Sequence, residues 1–161
     1  MDTDTHQACL LLGSNIEPEQ NIPQAVILLR DKLTILRISS VWETASVDCC
    51  YPDFLNMAVL VSTSLNASQL KERVLRPLEA QMGRVRTADK NASRPIDVDI
   101  ILFDSKLLDP SLWQRVHQAT PVAELFPDLR SDTSESLKDA AIRLAQSTPI
   151  QIRTNITIPQ P

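Results

Sequence analysis

An α+β fold is what this sequence predicts: a ferredoxin-like βαββαβ core, with a mainly antiparallel sheet and helices packed on it. Three observations carry that expectation. Short segments rich in Val, Ile and Leu, of strand length, begin near residues 7, 34, 54 and 97. Two longer segments, after the first and third of these, repeat apolar residues at spacings of three and four. Their order along the chain is β-α-β-β-α-β, with further elements at the end.

Residues 7–12, QACLLL, read as a short buried strand running into the turn-type cluster Gly13-Ser14-Asn15. Ile22, Val26, Leu29 and Leu33 then mark a helix, with Pro23 expected in its first turn, where a missing N–H costs nothing. Residues 34–44 switch to two-residue alternation, a strand with Leu36, Ile38 and Trp42 on one face. A loop over 44–52 leads to residues 54–63, apolar on both faces and so expected at the centre of the sheet. Leu70, Val74, Leu78 and Met82 form the second helix, capped by Asn66 or Ser68, disturbed by Pro77 and stopped at Gly83. Residues 97–103 are a strand rich in Ile, Val and Leu. Past the loop 104–111 the signal weakens. A helix over 134–146 follows an Asp132/Glu135 capping pair, and residues 150–158 alternate like an edge strand. With no internal repeat, low-complexity tract or linker, residues 1–161 are expected to form a single domain.

The composition narrows function. Net charge is −4 with 22% charged residues, so the whole-molecule field does not attract nucleic acid or anionic membrane. The few aromatics, two Trp, one Tyr and three Phe, argue against stacking on RNA. No apolar run is long enough to span a bilayer, and the acidic start MDTDTHQ is not that of a signal peptide. Three cysteines, two of them adjacent, give no disulfide framework or metal spacing, so a reducing, cytoplasmic setting is expected. Gly13 and Gly83 are the only glycines. Neither a Walker loop nor a GxGxxG turn can be built from them, so a bound nucleotide would be held by side chains and metal.

The strongest local feature is Asp97-Val98-Asp99. On a strand, residues i and i+2 share a face, which puts both carboxylates on one side, about 7 Å apart, opposite Ile96, Val98 and Ile100. Two such charges repel and are costly to desolvate, and a hard divalent cation such as Mg²⁺ relieves both problems. A solvated sheet edge fits the pair equally well. Upstream, Arg84, Arg86, Lys90 and Arg94 lie within eleven residues. Guanidinium forks match phosphate oxygens, and arginines converging with a carboxylate-held metal clamp a transferring phosphoryl group. By themselves these bases also suit surface salt bridges or a helix C-terminus. Read together, the two features point to a Mg²⁺–triphosphate site over residues 83–104.

LLGSN at 11–15, SSVWET at 39–44, FLNMAV at 54–59, EAQMGRVR at 79–86, RPIDVDIILFD at 94–104 and PVAELFPDL at 121–129 resemble, in order and spacing, the 6-hydroxymethyl-7,8-dihydropterin pyrophosphokinase family. The resemblance implies transfer of the β,γ-pyrophosphoryl group of ATP to the pterin hydroxymethyl, in folate biosynthesis. It implies that Asp97 and Asp99 hold two Mg²⁺ ions and that Arg84 and Arg94 join them as the catalytic set. Glu79, Arg84, Arg86, Lys90, Arg94, Ile100 and Arg115 fall on the nucleotide side. Thr44, Ala45, Val47, Phe54 and Asn56 fall on the pterin side, with Phe54 stacking on one ring face and Thr44 and Asn56 bonding the amide-like edge. His117 takes the place of a second stacking aromatic. The implied partners are ATP and a reduced pterin, with no nucleic acid or membrane, in a monomer or weak dimer. This chain departs from the family in the loop after Thr44, in Asn91-Ala92-Ser93, and at Asp109, which stands where the family has a histidine. Rival readings are a nucleotidyltransferase using Gly13-Ser14 with the aspartates, an RNA-binding module, and a diverged member that binds pterin or nucleotide without turnover.

Overall fold

The computed structural model describes residues 4–45, 52–89 and 92–161. Strand β1 (His6–Ser14) buries Ala8, Leu10 and Leu12 on one face and Cys9 and Leu11 on the other. It runs through Gly13 and Ser14 rather than turning there, because both residues stay in register with a neighbour. Helix α1 (Pro18–Lys32) begins with Pro18 at its N-terminus. Pro23 therefore sits in the second turn, not the first, and leaves the Glu19 carbonyl without its helical donor.

The segment expected as one strand over 34–44 is two, β2 (Thr34–Ile38) and β3 (Val41–Thr44). Both pair with β4 (Phe54–Thr63). The break at Ser39-Ser40 is held from two sides. Ser39 exchanges hydrogen bonds with the Ala58 backbone, and the Glu124 carboxylate accepts from Ser40 N–H and from Trp42 Nε1. A bulge between Ile35 and Arg37 resets the alternation. Ile35 is consequently buried, Leu36 is exposed, and Ile38 packs under α1 while Trp42 faces α4.

The second helix is continuous but irregular: α2 (Ala67–Leu70), a π-helical segment (Lys71–Leu75) and α3 (Arg76–Gln81). Asn66 caps it, completing a capping box with Gln69. The expected disturbance from Pro77 is this π segment. Pro77 cannot donate to the Arg73 carbonyl, and Arg76 N–H reaches back five residues to Lys71. Gly83, at φ 90°, ends the helix, and Arg84 N–H then donates to the Glu79 carbonyl.

Strand β5 (Asp97–Phe103) turns back into the two-residue β6 (Lys106–Leu107). A 3-10 turn (Pro110–Trp113), α4 (Val116–Leu125), α5 (Leu137–Ser147) and β7 (Ile150–Arg153) complete the described elements. Sequence patterning missed α4, because polar residues and Pro121 interrupt its apolar period. The cap of α5 is Ser136, which accepts from Asp139 N–H. Glu135, expected to cap it, pairs with Arg143 instead. The expected edge strand is real but ends at Arg153, and the residues beyond it lay Ile156 and Ile158 against the core near α1.

Strand order is β6-β5-β1-β4-β3-β7, with β2 also on β4 and every pairing antiparallel. The central four positions reproduce the expected ferredoxin-like order, and β4 is central as anticipated. Helices cover both faces. On one, α1 and the 67–81 helix close over Leu10, Leu12, Met57 and Val59. On the other, α4 and α5 close over Cys9, Leu11, Ala58 and Ile101. Each fully buried Leu or Ile contributes about 1.5–3 kcal/mol. No helix among the described residues is long and apolar enough to cross a membrane.

Candidate active site

Register builds the site. In one row across the sheet, Gly13 stands between Asp97 on β5 and Asn56 on β4; two residues along, Leu11 stands between Asp99 and Ala58. Because strand side chains alternate, Asp97, Asp99, Gly13, Asn56 and Phe54 share the face that α4 covers further along. Where α4 begins, sheet and helix part to form a cleft of about 420 Å³, which all five of these residues line together with Arg94 and His117. Beside it, Arg84, Arg86 and Arg94 line a recess of about 350 Å³.

Arg84 and Arg94 converge on Asp97. Arg84 Nη1 lies 3.3 Å from Asp97 Oδ1, and Arg94 Nη1 lies 3.2 Å from Oδ2. The Arg84 side chain is only 9% exposed and also donates to the Ile96 carbonyl at 3.0 Å, so it is fixed from two directions. Glu79, buried behind it, accepts from Arg86 Nη2 at 3.1 Å. Burial first, then the nearby Asp97 charge, pushes Glu79 up to about 7 against the opposing arginines. Asn15 ties the far side: its Oδ1 accepts from Arg94 N–H at 2.7 Å, and its own N–H donates to the Arg94 carbonyl.

Among the described residues, no base holds Asp99 in this way. Desolvation in the concave wall, then the charges of Asp97 and Asp109, pushes it up to about 6, although solvent reaches part of the residue. Its folded form binds a proton more tightly than the unfolded chain does. Asp99 and Glu79 together therefore cost the unliganded protein stability as pH rises from about 4 to about 7. Asp99→Asn is expected to raise the melting temperature at pH 7.5 by about 2–4 °C, roughly 1 kcal/mol after solvent screening. It should raise it little at pH 4, and melting curves at the two pH values check this.

A carboxylate pair of which Asp97 is only partly countered by arginines, and Asp99 is raised by its neighbours, is what a hard cation fits. Among the described residues no three potential metal-ligating side chains converge. Mg²⁺ does not need three, since it keeps waters and takes phosphate oxygens.

The other end of the cleft suits a flat polar ring. Phe54 supplies an apolar face, with the Arg94 guanidinium carbon 5.9 Å from its centroid. Thr44 and Asn56 are both buried. Asn56 Nδ2 donates to the Leu12 carbonyl at 3.2 Å, while Oδ1 has no partner among the described residues. An unpaired buried acceptor costs about 1–3 kcal/mol, which a donor on a bound ring would relieve. A Cβ on Gly13 would stand 2.7 Å from Asn56 Nδ2, so only glycine leaves Asn56 its place. Burial, with the Arg115 charge, lowers His117 to about 4, leaving a neutral imidazole at pH 7.

Of the residues singled out in the sequence, Thr44, Ala45, Phe54, Asn56, Arg94, Asp97, Asp99, Arg115 and His117 line the cleft. Arg84 and Arg86 line the recess, and Glu79 braces both from behind. Ile100 joins neither. Alternation turns it away from Asp99 onto the core on the opposite face of the sheet. Val47 and Lys90 lie outside the described residues. Sequence reasoning did not single out Asn15, or Gln118, whose burial depends on a helix that patterning missed. Gly13 carried a signal, as one of two glycines, but was read as a turn.

Residues 9–127 match the 7,8-dihydro-6-hydroxymethylpterin-pyrophosphokinase (HPPK) family. A Bacillus subtilis 2-amino-4-hydroxy-6-hydroxymethyldihydropteridine pyrophosphokinase is 33% identical over 146 residues, covering 82% of this chain and 85% of that one. The Pseudomonas aeruginosa protein of the same name is 33% identical over 132 residues, covering 74% and 80%. An Arabidopsis thaliana folate synthesis bifunctional protein is 30% identical over 135 residues, covering 77% of this chain and 28% of its own length. The fold is shared with a Plasmodium falciparum HPPK-DHPS crystal structure, at a TM-score of 0.70 and 14% identity. That match covers 90% of this chain but 46% of the Plasmodium one, so this chain spans about half of that protein.

Proposed function

The chain belongs to the 7,8-dihydro-6-hydroxymethylpterin-pyrophosphokinase family, and we propose that it transfers pyrophosphate from ATP to the hydroxymethyl group of 6-hydroxymethyl-7,8-dihydropterin. The observation that carries this reading is the single cleft joining a carboxylate pair and arginines at one end to a Phe54–Asn56 ring site at the other. In the reaction the alcohol oxygen bonds to the β-phosphorus and loses its proton. The bond between that phosphorus and the α,β-bridging oxygen breaks, and AMP leaves with the electron pair.

Asp97 and Asp99 would hold two Mg²⁺ ions, whose charge neutralises the triphosphate and polarises the transferred group. Asp99, pushed up to about 6 by burial and neighbouring carboxylates, is the better placed of the two to gain from a cation. Arg86, half exposed at the rim of the recess, would turn toward phosphate the guanidinium N–H groups other than the Nη2 that pairs with Glu79. Arg84, fixed between Asp97 and the Ile96 carbonyl, positions the metal-binding carboxylate. Asn56 Oδ1, Thr44 and the Phe54 ring would orient the pterin so that its alcohol faces the carboxylate end. Asp109, in place of a histidine, does not remove the phosphoryl-transfer machinery, since that chemistry rests on positioning and electrostatics.

The direct test is incubation with Mg-ATP and the reduced pterin alcohol. AMP and a pterin diphosphate in equal amounts are expected, with no AMP when the pterin is omitted. Pyrophosphate release with nucleotide incorporation would overturn the reading. Absence of AMP, with both ligands still bound, would establish the inactive alternative.

His117, which lines the cleft, would cover the second ring face. Its alanine variant is expected to weaken pterin binding about 2-fold to 12-fold, from the loss of a stacking contact worth about 0.5–1.5 kcal/mol. Because its imidazole is neutral well above pH 4, its share of pterin affinity should not vary between pH 6 and 8. Fluorescence titration of pterin at both pH values measures each point.

A further inference from the structure

Gln118 is a buried polar residue that nothing so far has used. It is the third residue of α4 and is 3% exposed, and it lines the cleft beside His117. Its Nε2 donates to Asp109 Oδ2 at 3.3 Å. Asp109 is itself held, with Oδ1 accepting from Ser111 N–H at 3.0 Å at the start of the 3-10 turn. A carboxylate only accepts, so the amide can take only one orientation, and Oε1 is the other arm of the fork. Oε1 is buried and has no partner among the described residues. Leaving such an acceptor unpaired destabilises the unliganded protein, a penalty that a methionine or leucine of similar volume would avoid. With no protein donor to Oε1 among the described residues, that acceptor is satisfied when a bound ligand supplies one.

From this geometry we propose that Gln118 is a substrate-positioning residue whose Oε1, aimed by Asp109, accepts a hydrogen bond from the pterin. The inference rests on the function proposed above and deepens it by adding a second acceptor to the ring site besides Asn56. Triphosphate oxygens carry no donor at neutral pH, so this acceptor repels the phosphates. A reduced pterin presents amino, ring N–H and alcohol O–H donors. Asn56 on β4 and Gln118 on α4 stand on opposite walls of the cleft, so together they fix the ring's rotation in its own plane, which stacking leaves free.

Two variants of similar volume, Gln118→Met and Gln118→Leu, test the proposal against the wild-type enzyme with Mg-ATP and the reduced pterin alcohol. Both are expected to raise the pterin KM about 10-fold to 100-fold. Affinity for a non-hydrolysable ATP analogue should stay within twofold, and the melting temperature should hold or rise. That combination separates positioning from structure, because a residue needed only for packing would lower thermal stability and weaken both ligands alike. An unchanged pterin KM in both variants overturns the proposal, as does an equal loss of ATP-analogue affinity or a fall in melting temperature that accounts for the loss. AMP formation by the wild-type protein is read first. Its absence counts against the function itself, whereas a normal wild type with unaffected variants counts against Gln118 alone.

Discussion

Asp97→Asn is expected to lower AMP formation by about 10³-fold and to abolish the Mg²⁺ dependence of ATP-analogue binding. The size follows from how much converges on one carboxylate. Arg84 meets one oxygen at 3.3 Å and Arg94 the other at 3.2 Å, while Asp99 shares the same strand face. Asparagine keeps the shape but removes the charge that aligns both guanidinium groups and would draw in the cation. Arg84, at 9% side-chain exposure, then lacks its nearest counter-charge in a poorly solvated place. Stability should accordingly fall by a few kcal/mol, in contrast to Asp99→Asn, which gains stability. Calorimetry with the ATP analogue, with and without Mg²⁺, measures the binding, and AMP release measures the turnover. A variant retaining turnover within tenfold of wild type would remove Asp97 from the centre of the site.

Gly13→Ala should also impair the site, although Gly13 carries no functional group. A Cβ there would meet Asn56 Nδ2 at 2.7 Å, well inside contact distance. Asn56 must then leave its bond to the Leu12 carbonyl, and the unpartnered Oδ1 moves with it. Overpacking of this kind costs about 1–3 kcal/mol. Pterin affinity should drop about 10-fold to 100-fold, equivalent to about 1.4–2.8 kcal/mol. A double variant separates the two consequences. Adding Asn56→Ala to Gly13→Ala removes the clash, so stability should recover by about 1 kcal/mol or more while pterin binding stays weak. Denaturant melts and pterin titrations on the wild type, Gly13→Ala and the double variant test this. Normal pterin binding by Gly13→Ala would show that Asn56 does not need its present place.

These two residues also mark how far the sequence could be read. Asp97 was legible because its signal is local: two aspartates two positions apart, within an apolar strand and just after a cluster of arginines. Residues 54–63 and 97–103 have the strand limits their composition indicated. Gly13 was visible as a rare glycine but was taken for a turn, because its reason lies on another strand 43 positions away. Leu36 and Ile35 exchanged places for a similar cause: a bulge is a property of strand pairing, not of either residue. Helix α4 escaped notice because polar residues and Pro121 break its period. Those interruptions are partly the site itself, since His117 and Gln118 face the cleft at its first turn.

The sequence by itself determined the α+β class, the strands that carry the carboxylates and the aromatic ring, the arginine cluster, and the family to which they belong. Periodicity and short-range charge suffice for these, because each is decided within a few residues. Only the tertiary structure decided that Gly13 stands between Asp97 and Asn56, that Arg84 and Arg94 grip the same carboxylate, and that Asp109 turns the Gln118 amide. Those relations depend on strand register and on a helix laid across the sheet. Both are settled by packing between segments distant in the chain, which no local pattern encodes.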